Sequence, residues 1–131
     1  MSKYARIACL ATEQARNGND PVRAWYAAAE RIYPEECPAR NKSCPRCAFL
    51  GLAEEGLIDG VPSGSYTRSS DNKRYAIEAL RLLWSDPTLC DDSDELWRRV
   101  MDGMKKKHND QMDVVTALWK ADYLKQSSRS R

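Results

Sequence analysis

Histidine is nearly absent from this sequence, since His108 is the only one among 131 residues. A single imidazole cannot supply a two-histidine acid–base couple or a histidine pair for a metal. The strings G-x-S-x-G, H-E-x-x-H and S-x-x-K, which accompany common hydrolytic sites, are missing as well. These absences favour a non-enzymatic role, although they leave an enzyme open.

Long apolar runs are missing too. No stretch approaches the ~18 apolar residues that a membrane-spanning helix needs, and residues 1–6 lack the apolar run and cleavage site of a secretion signal. The five cysteines form an odd number, and the cytosol keeps ordinary thiols reduced. We therefore expect a cytoplasmic protein that has no membrane contact and no disulfide scaffold.

Charge of one sign does not accumulate in either half of the chain. Residues 1–70 carry nine basic and eight acidic side chains, and residues 71–131 carry twelve and eleven, so each half contributes +1 to the net charge of +2. This balance excludes the general electrostatic footprint of a nucleic-acid-binding protein.

Helical periodicity is present in six segments, and no segment shows a sustained strand alternation. The apolar stripes occupy residues 4–15, 22–32, 49–53, 75–83, 96–101 and 112–123. In the second stripe, we expect one apolar face to contain Val22, Trp25, Tyr26, Ala29 and Ile32. All four tryptophans fall on the predicted helices and three of them lie on the apolar stripes, so we expect them to fill the core. The sequence predicts an all-α fold, a compact bundle of about six helices forming a single domain over residues 1–125, with a disordered C-terminal tail at 126–131.

Helix boundaries follow from capping and turn residues. We expect N-terminal caps at Asp20, Ser43, Asp92 and Asn109, and C-terminal ends at Gly56 and before Pro87. The stretch at about 57–70 contains Asp59-Gly60, Pro62 and Gly64, which form turns. It is predicted to be a longer loop or a short hairpin.

The cysteines Cys37, Cys44 and Cys47 make the densest chemical cluster, spaced as C-x6-C-x2-C. Zinc could take these thiolates with a fourth ligand from Cys9, Cys90 or His108, but no second C-x2-C or H-x3-H pair is present. The sequence predicts no cofactor, with zinc as an open alternative.

The same cysteines allow a redox interpretation. Cys44 would lie at a helix N-terminus, which lowers a thiol pKa, and Cys47 could resolve a mixed disulfide. The segment faintly resembles the helical alkylhydroperoxidase-like family, whose histidine four residues after the second cysteine is replaced here by Gly51. The favoured interpretation is that these cysteines are small, partly buried hydrophobic residues.

A cationic loop offers a nucleic-acid or phosphate hypothesis. Arg68, Lys73 and Arg74 follow a glycine- and serine-containing loop and could contact a phosphate. If residues 44–56 and a hairpin at 57–67 formed a winged helix-turn-helix, these cations would lie in its wing, and the lysine run 105–107 could also contact phosphate. Adjacent carboxylates such as Glu54 and Glu55 are expected to be solvated surface groups.

The chain also resembles a family of small bacterial proteins known only as a domain of unknown function. The resemblance covers about residues 44–119 and rests on the pattern C-P-x2-A-F-L-G-L, on Tyr66-Thr67 and Asn72-Lys73, and on H-N-x-Q-M-D-V-V-x-A-L-W from His108 to Trp119. It implies no activity, but it directs attention to polar residues that could form a binding cleft or fix the fold by hydrogen bonds: Tyr66, Thr67, Asn72, Lys73, His108, Asn109, Gln111 and Asp113.

Together these observations favour a small binding or regulatory protein that acts through contacts with a protein partner. Its size would suit an accessory protein of a phage or another mobile element. Nucleic acid remains an alternative partner, and thiol chemistry or a zinc-stabilised domain at Cys44 and Cys47 remains a further alternative. The oligomeric state is open.

Overall fold

The computed structural model describes residues 2–126 and confirms the all-α prediction. Within these residues the chain forms six α-helices and one 3-10 turn, packed as a compact bundle. The elements in chain order are α1 Lys3–Arg16, α2 Pro21–Ile32, α3 Ser43–Glu54, α4 Ser70–Ser85, the 3-10 turn Pro87–Asp91, α5 Ser93–Met101 and α6 Gln111–Lys120.

Short polar side chains cap most of these helices. Ser2 accepts a hydrogen bond from the Ala5 N–H, and Asp20 accepts one from the Arg23 N–H ahead of Pro21. Ser69 and Asp92 cap α4 and α5 in the same way. Each side chain satisfies a backbone donor that the first turn leaves unpaired, so the cap fixes where the helix begins.

Two predicted caps are wrong. Ser43 is the first residue of α3, and Lys42 precedes it without a side-chain cap. At α6 the capping position belongs to Asp110 rather than Asn109, with a left-handed φ of 69°. The missing acceptor is supplied by His108, whose Nε2 accepts a hydrogen bond from the Met112 N–H at 3.0 Å.

The core lies between two helix pairs. α1 packs on α2 and α3 packs on α4, while α6 contacts α1, α3 and α4 and so joins the pairs. Trp25 and Phe49 meet beneath the surface with ring centroids 5.3 Å apart and tie α2 to α3. Trp25 and Trp97 are buried and the other two tryptophans pack against the core, as predicted.

The connection between α3 and α4 is a loop, and the hairpin alternative is wrong. Gly56 adopts a φ of +72° and ends α3, with the Leu57 N–H donating back to the Leu52 carbonyl. Within residues 2–126 the single β-bridge pairs Ile58 with Leu124 rather than with the loop. The wing required by the helix-turn-helix hypothesis is therefore not formed in this part of the chain.

The C-terminal segment is tied to the bundle. Trp84 Nε1 donates to the Lys125 carbonyl at 2.8 Å, and Gln126 donates to Asp122. The rest of the predicted disordered tail, residues 127–131, lies outside the described residues. None of the helices in residues 2–126 is long and apolar enough to cross a membrane.

Candidate functional site

The three central cysteines are free thiols in the part of the chain that the structure describes. Cys44 and Cys47 lie one turn apart at the start of α3, Cys37 lies in the preceding connection, and all three are half-buried free thiols. Across residues 2–126 no three histidine, cysteine or acidic side chains are grouped so that they could hold a metal ion.

His108 has a structural partner rather than a cysteine partner. Its ring lies 5.1 Å from the Trp97 ring, and its Nε2 accepts the Met112 N–H. Burial lowers the pKa of His108, which favours the neutral imidazole that this hydrogen bond requires. Trp97 also donates to the Lys106 carbonyl at 3.0 Å, so the pair holds the loop that precedes α6.

Gln111 and Asn72 form a polar bridge between α6 and α4. Gln111 is 3% exposed, and its Nε2 donates to Asn72 Oδ1 at 3.0 Å while its Oε1 accepts the Asn109 N–H at 2.7 Å. Asn72 Nδ2 in turn donates to Ser69 Oγ. The structure thus brings Asn72, Asn109 and Gln111 together as a hydrogen-bonded network.

Asp113 lies away from this network. It faces α1 across a cavity of about 280 Å³ that Ser2 and Lys120 also line. Burial raises its pKa, and the neighbouring Asp110 carboxylate raises it further. Asp110 itself bonds to Lys42 at 2.6 Å. Asp113 and Gln111 therefore do not converge on one cleft.

Glu54 anchors the loop between α3 and α4, contrary to the expectation of a solvated carboxylate. Its Oε1 accepts the N–H groups of Tyr66 and Thr67 at 2.7 and 3.1 Å, and its Oε2 accepts Lys73 Nζ at 2.6 Å. The Lys73 ammonium, helped by the Thr67 N–H, lowers the pKa of Glu54 to about 2. Lys73 also pairs with Glu55, so its charge is already compensated.

Close helix packing makes this anchor possible. Gly51 sits where α3 meets α4, and a Cβ at this position would lie 2.7 Å from the Cα of Lys73. The absence of a side chain lets the two helices approach until Lys73 reaches Glu54. Gly51, which stands where the alkylhydroperoxidase-like family has a histidine, therefore serves the packing of α3 against α4.

The candidate site is a groove bounded by α2, α3 and the loop before α4, hereafter the α2–α3 groove, with a volume of about 380 Å³. Its floor and walls include apolar, aromatic, hydroxyl and cationic side chains: Val22, Tyr26, Ser43, Arg46, Cys47, Leu50, Tyr66, Thr67, Arg68, Ser69 and Asn72. Three members of the predicted cleft, Tyr66, Thr67 and Asn72, line this groove. The other five members of that cleft do not line the groove: Lys73, His108, Asn109, Gln111 and Asp113.

Tyr26 and Arg46 are the parts of the groove that sequence reasoning missed. The sequence placed Tyr26 on the buried face of α2 beside Trp25, yet its side chain is 43% exposed. The buried stripe of α2 contains Ala24, Trp25 and Ala28, one helical step to the side of Tyr26. The Arg46 guanidinium lies 5.3 Å from the Tyr26 ring centroid.

The three predicted phosphate contacts do not converge. Arg68 lines the α2–α3 groove, Lys73 is compensated by Glu54 and Glu55, and Arg74 pairs with Asp71 on the surface of α4.

Two open cavities that are larger than the α2–α3 groove, of about 550 and 520 Å³, flank the exposed Met104 near the end of α5. Their basic and acidic side chains are mixed, and Arg98 and Arg99 are ion-paired with Glu95. Lys106 of the lysine run likewise lies 3.5 Å from Asp71. This region therefore presents a compensated surface, in contrast to the α2–α3 groove.

Comparison with known proteins addresses the resemblance noted in the sequence. No curated protein and no solved structure matches the chain significantly. The resemblance to a domain of unknown function is confirmed, and it extends beyond residues 44–119 to include α1 and α2. The chain belongs to the family of unknown function DUF6979, whose family model matches residues 1–125.

Proposed function

We propose that this chain is a non-enzymatic protein-binding module that engages a partner protein through the α2–α3 groove. The observation that carries the proposal is the exposed Tyr26, which lies beside Arg46 in a groove that the apolar side chains of Val22 and Leu50 also line. Tyrosine and arginine are enriched at interface hot spots, where an apolar centre is surrounded by polar groups.

The rigidity of the groove supports the same function. Its helical walls are joined below by the contact between Trp25 and Phe49, and its loop wall is held by Glu54. A surface that is already ordered loses less conformational entropy when a partner binds. The floor also offers hydroxyl and amide groups that can orient a bound backbone.

His108 and Gln111, which the sequence offered as members of a binding cleft, make hydrogen bonds within the chain and therefore leave the α2–α3 groove as the better candidate surface. His108 Nε2 is occupied by the Met112 N–H, and Gln111 is committed to Asn72 and Asn109. The odd number of cysteines is in keeping with work in the reducing cytoplasm.

Site-specific photocrosslinking in the native host tests this proposal. The photoreactive amino acid p-benzoylphenylalanine would replace Tyr26 in one variant and the exposed Arg81 on α4 in a matched control. We expect a discrete protein adduct from position 26 that is absent from position 81. Excess unlabelled wild-type protein should suppress the adduct, whereas the Tyr26→Ala protein should not.

Two results would overturn the proposal. One is the absence of a position-26 adduct, and the other is the same set of adducts from both positions. Circular dichroism of each variant checks that the helices are retained, so that loss of the fold is not mistaken for loss of the interface.

A further inference from the structure

The charge of the α2–α3 groove indicates which kind of ligand the groove can bind. Two arginines line it: Arg46 from α3 and Arg68 from the loop before α4. No carboxylate lines it among residues 2–126, and neither arginine has a carboxylate partner there. A groove with cationic walls and an aromatic rim is complementary to an acidic ligand.

We infer that the groove takes an acidic segment of the partner protein, whose carboxylate or phosphate oxygens are held by Arg46 and Arg68. This inference rests on the proposed function, because it names the chemistry of the partner at the same groove.

Arg46 is already oriented for such a contact. Its guanidinium lies near the Tyr26 ring, and Nη1 donates to the Asn41 carbonyl at 3.3 Å. A guanidinium carries five N–H donors, so the remaining donors are available for an oxyanion. Holding the side chain before binding reduces the entropy that an arginine would otherwise lose.

The loop wall adds Arg68 and neutral donors. Arg68 follows Thr67, whose N–H is held by Glu54, and the Ser69 N–H donates to Thr67 Oγ1 at 3.1 Å. Ser69 Oγ accepts hydrogen bonds from the N–H and Nδ2 groups of Asn72, which leaves its own hydroxyl proton to donate. This wall therefore offers a cation, Arg68, and the hydroxyl donor of Ser69 to an anionic ligand.

The lysine run at 105–107 is a weaker candidate for the same ligand. Lys106 lies near Asp71, and Asp94 and Asp102 line the adjoining cavity. A partner's acidic groups would meet carboxylates there as well as cations. The comparison favours the α2–α3 groove.

NMR titration of the 15N-labelled chain with defined peptides tests the inference. The probes are a hexaglutamate peptide, a peptide of alternating alanine and phosphoserine, and a hexaglutamine control. We expect either acidic peptide to shift the amide signals of Arg46, Cys47 and Arg68, and the glutamine peptide to leave them unchanged. The acidic peptide that binds more tightly identifies whether carboxylate or phosphate is the preferred oxyanion.

Charge-matched variants locate the binding. Arg46→Gln and Arg68→Gln should each weaken the peptide by about tenfold, which corresponds to about 1.4 kcal/mol. Arg31→Gln removes the same charge from the exposed surface of α2 outside the groove, and we expect a change below about twofold.

Failure of this inference is distinguishable from failure of the proposed function. Absence of shifts with both acidic peptides, or equal weakening by Arg31→Gln, would overturn the acidic-ligand inference. So would shifts of the groove amides by oligothymidylate alone, which would assign the groove to nucleic acid. If the position-26 adduct persists in the Arg46→Gln, Arg68→Gln double variant, protein binding stands and the acidic ligand is wrong.

Discussion

Removal of the Glu54 carboxylate should loosen the loop wall of the α2–α3 groove and destabilise the whole domain. Glu54 is the acceptor for two backbone N–H groups and for the Lys73 ammonium, and its side chain is only 12% exposed. The variant Glu54→Ala leaves all three donors without this partner.

The size of the effect follows from those three contacts. Hydrogen bonds to a charged group contribute about 1.5–3 kcal/mol each. Because the loosened loop regains water for its N–H groups, we expect a loss of about 2–4 kcal/mol in the free energy of unfolding rather than the full sum. In a domain of this size, that loss lowers Tm by roughly 6–15 °C.

Urea unfolding followed by far-UV circular dichroism measures the loss, and hydrogen exchange at the Tyr66 and Thr67 amides locates it. Glu55→Ala is the matched control, because Glu55 also pairs with Lys73 but is 47% exposed. We expect that control to cost about 0–1 kcal/mol. Equal losses in the two variants, or unchanged protection of the two amides in Glu54→Ala, would refute the reasoning.

The acid limb of the stability profile gives an independent check on Glu54. The pKa of Glu54 falls from the ordinary 4.5 to about 2 in the folded state. Its contribution to the free energy of unfolding is therefore complete above pH 4.5 and is lost as the pH drops toward 2. Glu54→Gln keeps an oxygen acceptor but loses the charge. We expect this variant to be less stable at neutral pH and to lose less stability than the wild type across that interval.

The remaining expectations concern packing, pH and the rim of the groove. Gly51→Ala places a methyl group against Lys73 and should cost about 1–3 kcal/mol in urea unfolding, and a neutral result would show that α3 and α4 separate without cost. Because the pKa of His108 is lowered in the folded state, this residue makes its full contribution to the free energy of unfolding above pH 6.5, the ordinary histidine pKa being about 6.5. That contribution declines as the pH falls from there toward the pKa of the folded state. In His108→Gln this decline should disappear from the stability profile, and its persistence would show that another group is responsible. Tyr26→Ala should change stability by no more than about 0.5 kcal/mol while abolishing partner binding, and a large loss of stability would instead assign Tyr26 to the core.

The helices could be predicted because local signals decide them. Asp20-Pro21 starts α2, Gly56 with Leu57 ends α3, and Pro87 ends α4, each through backbone chemistry within a few residues. The wrong N-cap at Asn109 is explained by the contact of His108 with Trp97, a residue that lies far from the cap in the chain. The chain enters α6 through Asp110 in a left-handed conformation, and His108, held against Trp97, supplies the acceptor.

The site was less predictable because it depends on which helices meet. Sequence patterning cannot show that Gly51 lets Lys73 approach Glu54, or that Glu54 binds the backbone of Tyr66 and Thr67, 12 and 13 residues later in the chain. Tyr26 was misplaced because it is adjacent to Trp25, and the small shift of the buried stripe toward Ala24 and Ala28 moves it into solvent. That run of small residues was the available signal.

Photocrosslinking from position 26, compared with position 81, remains the most direct test of the α2–α3 groove as a protein-binding surface. Our interpretation predicts a discrete protein adduct at Tyr26 that wild-type protein suppresses and that position 81 does not form. Absence of that adduct from a folded variant, or identical adducts from both positions, would contradict it.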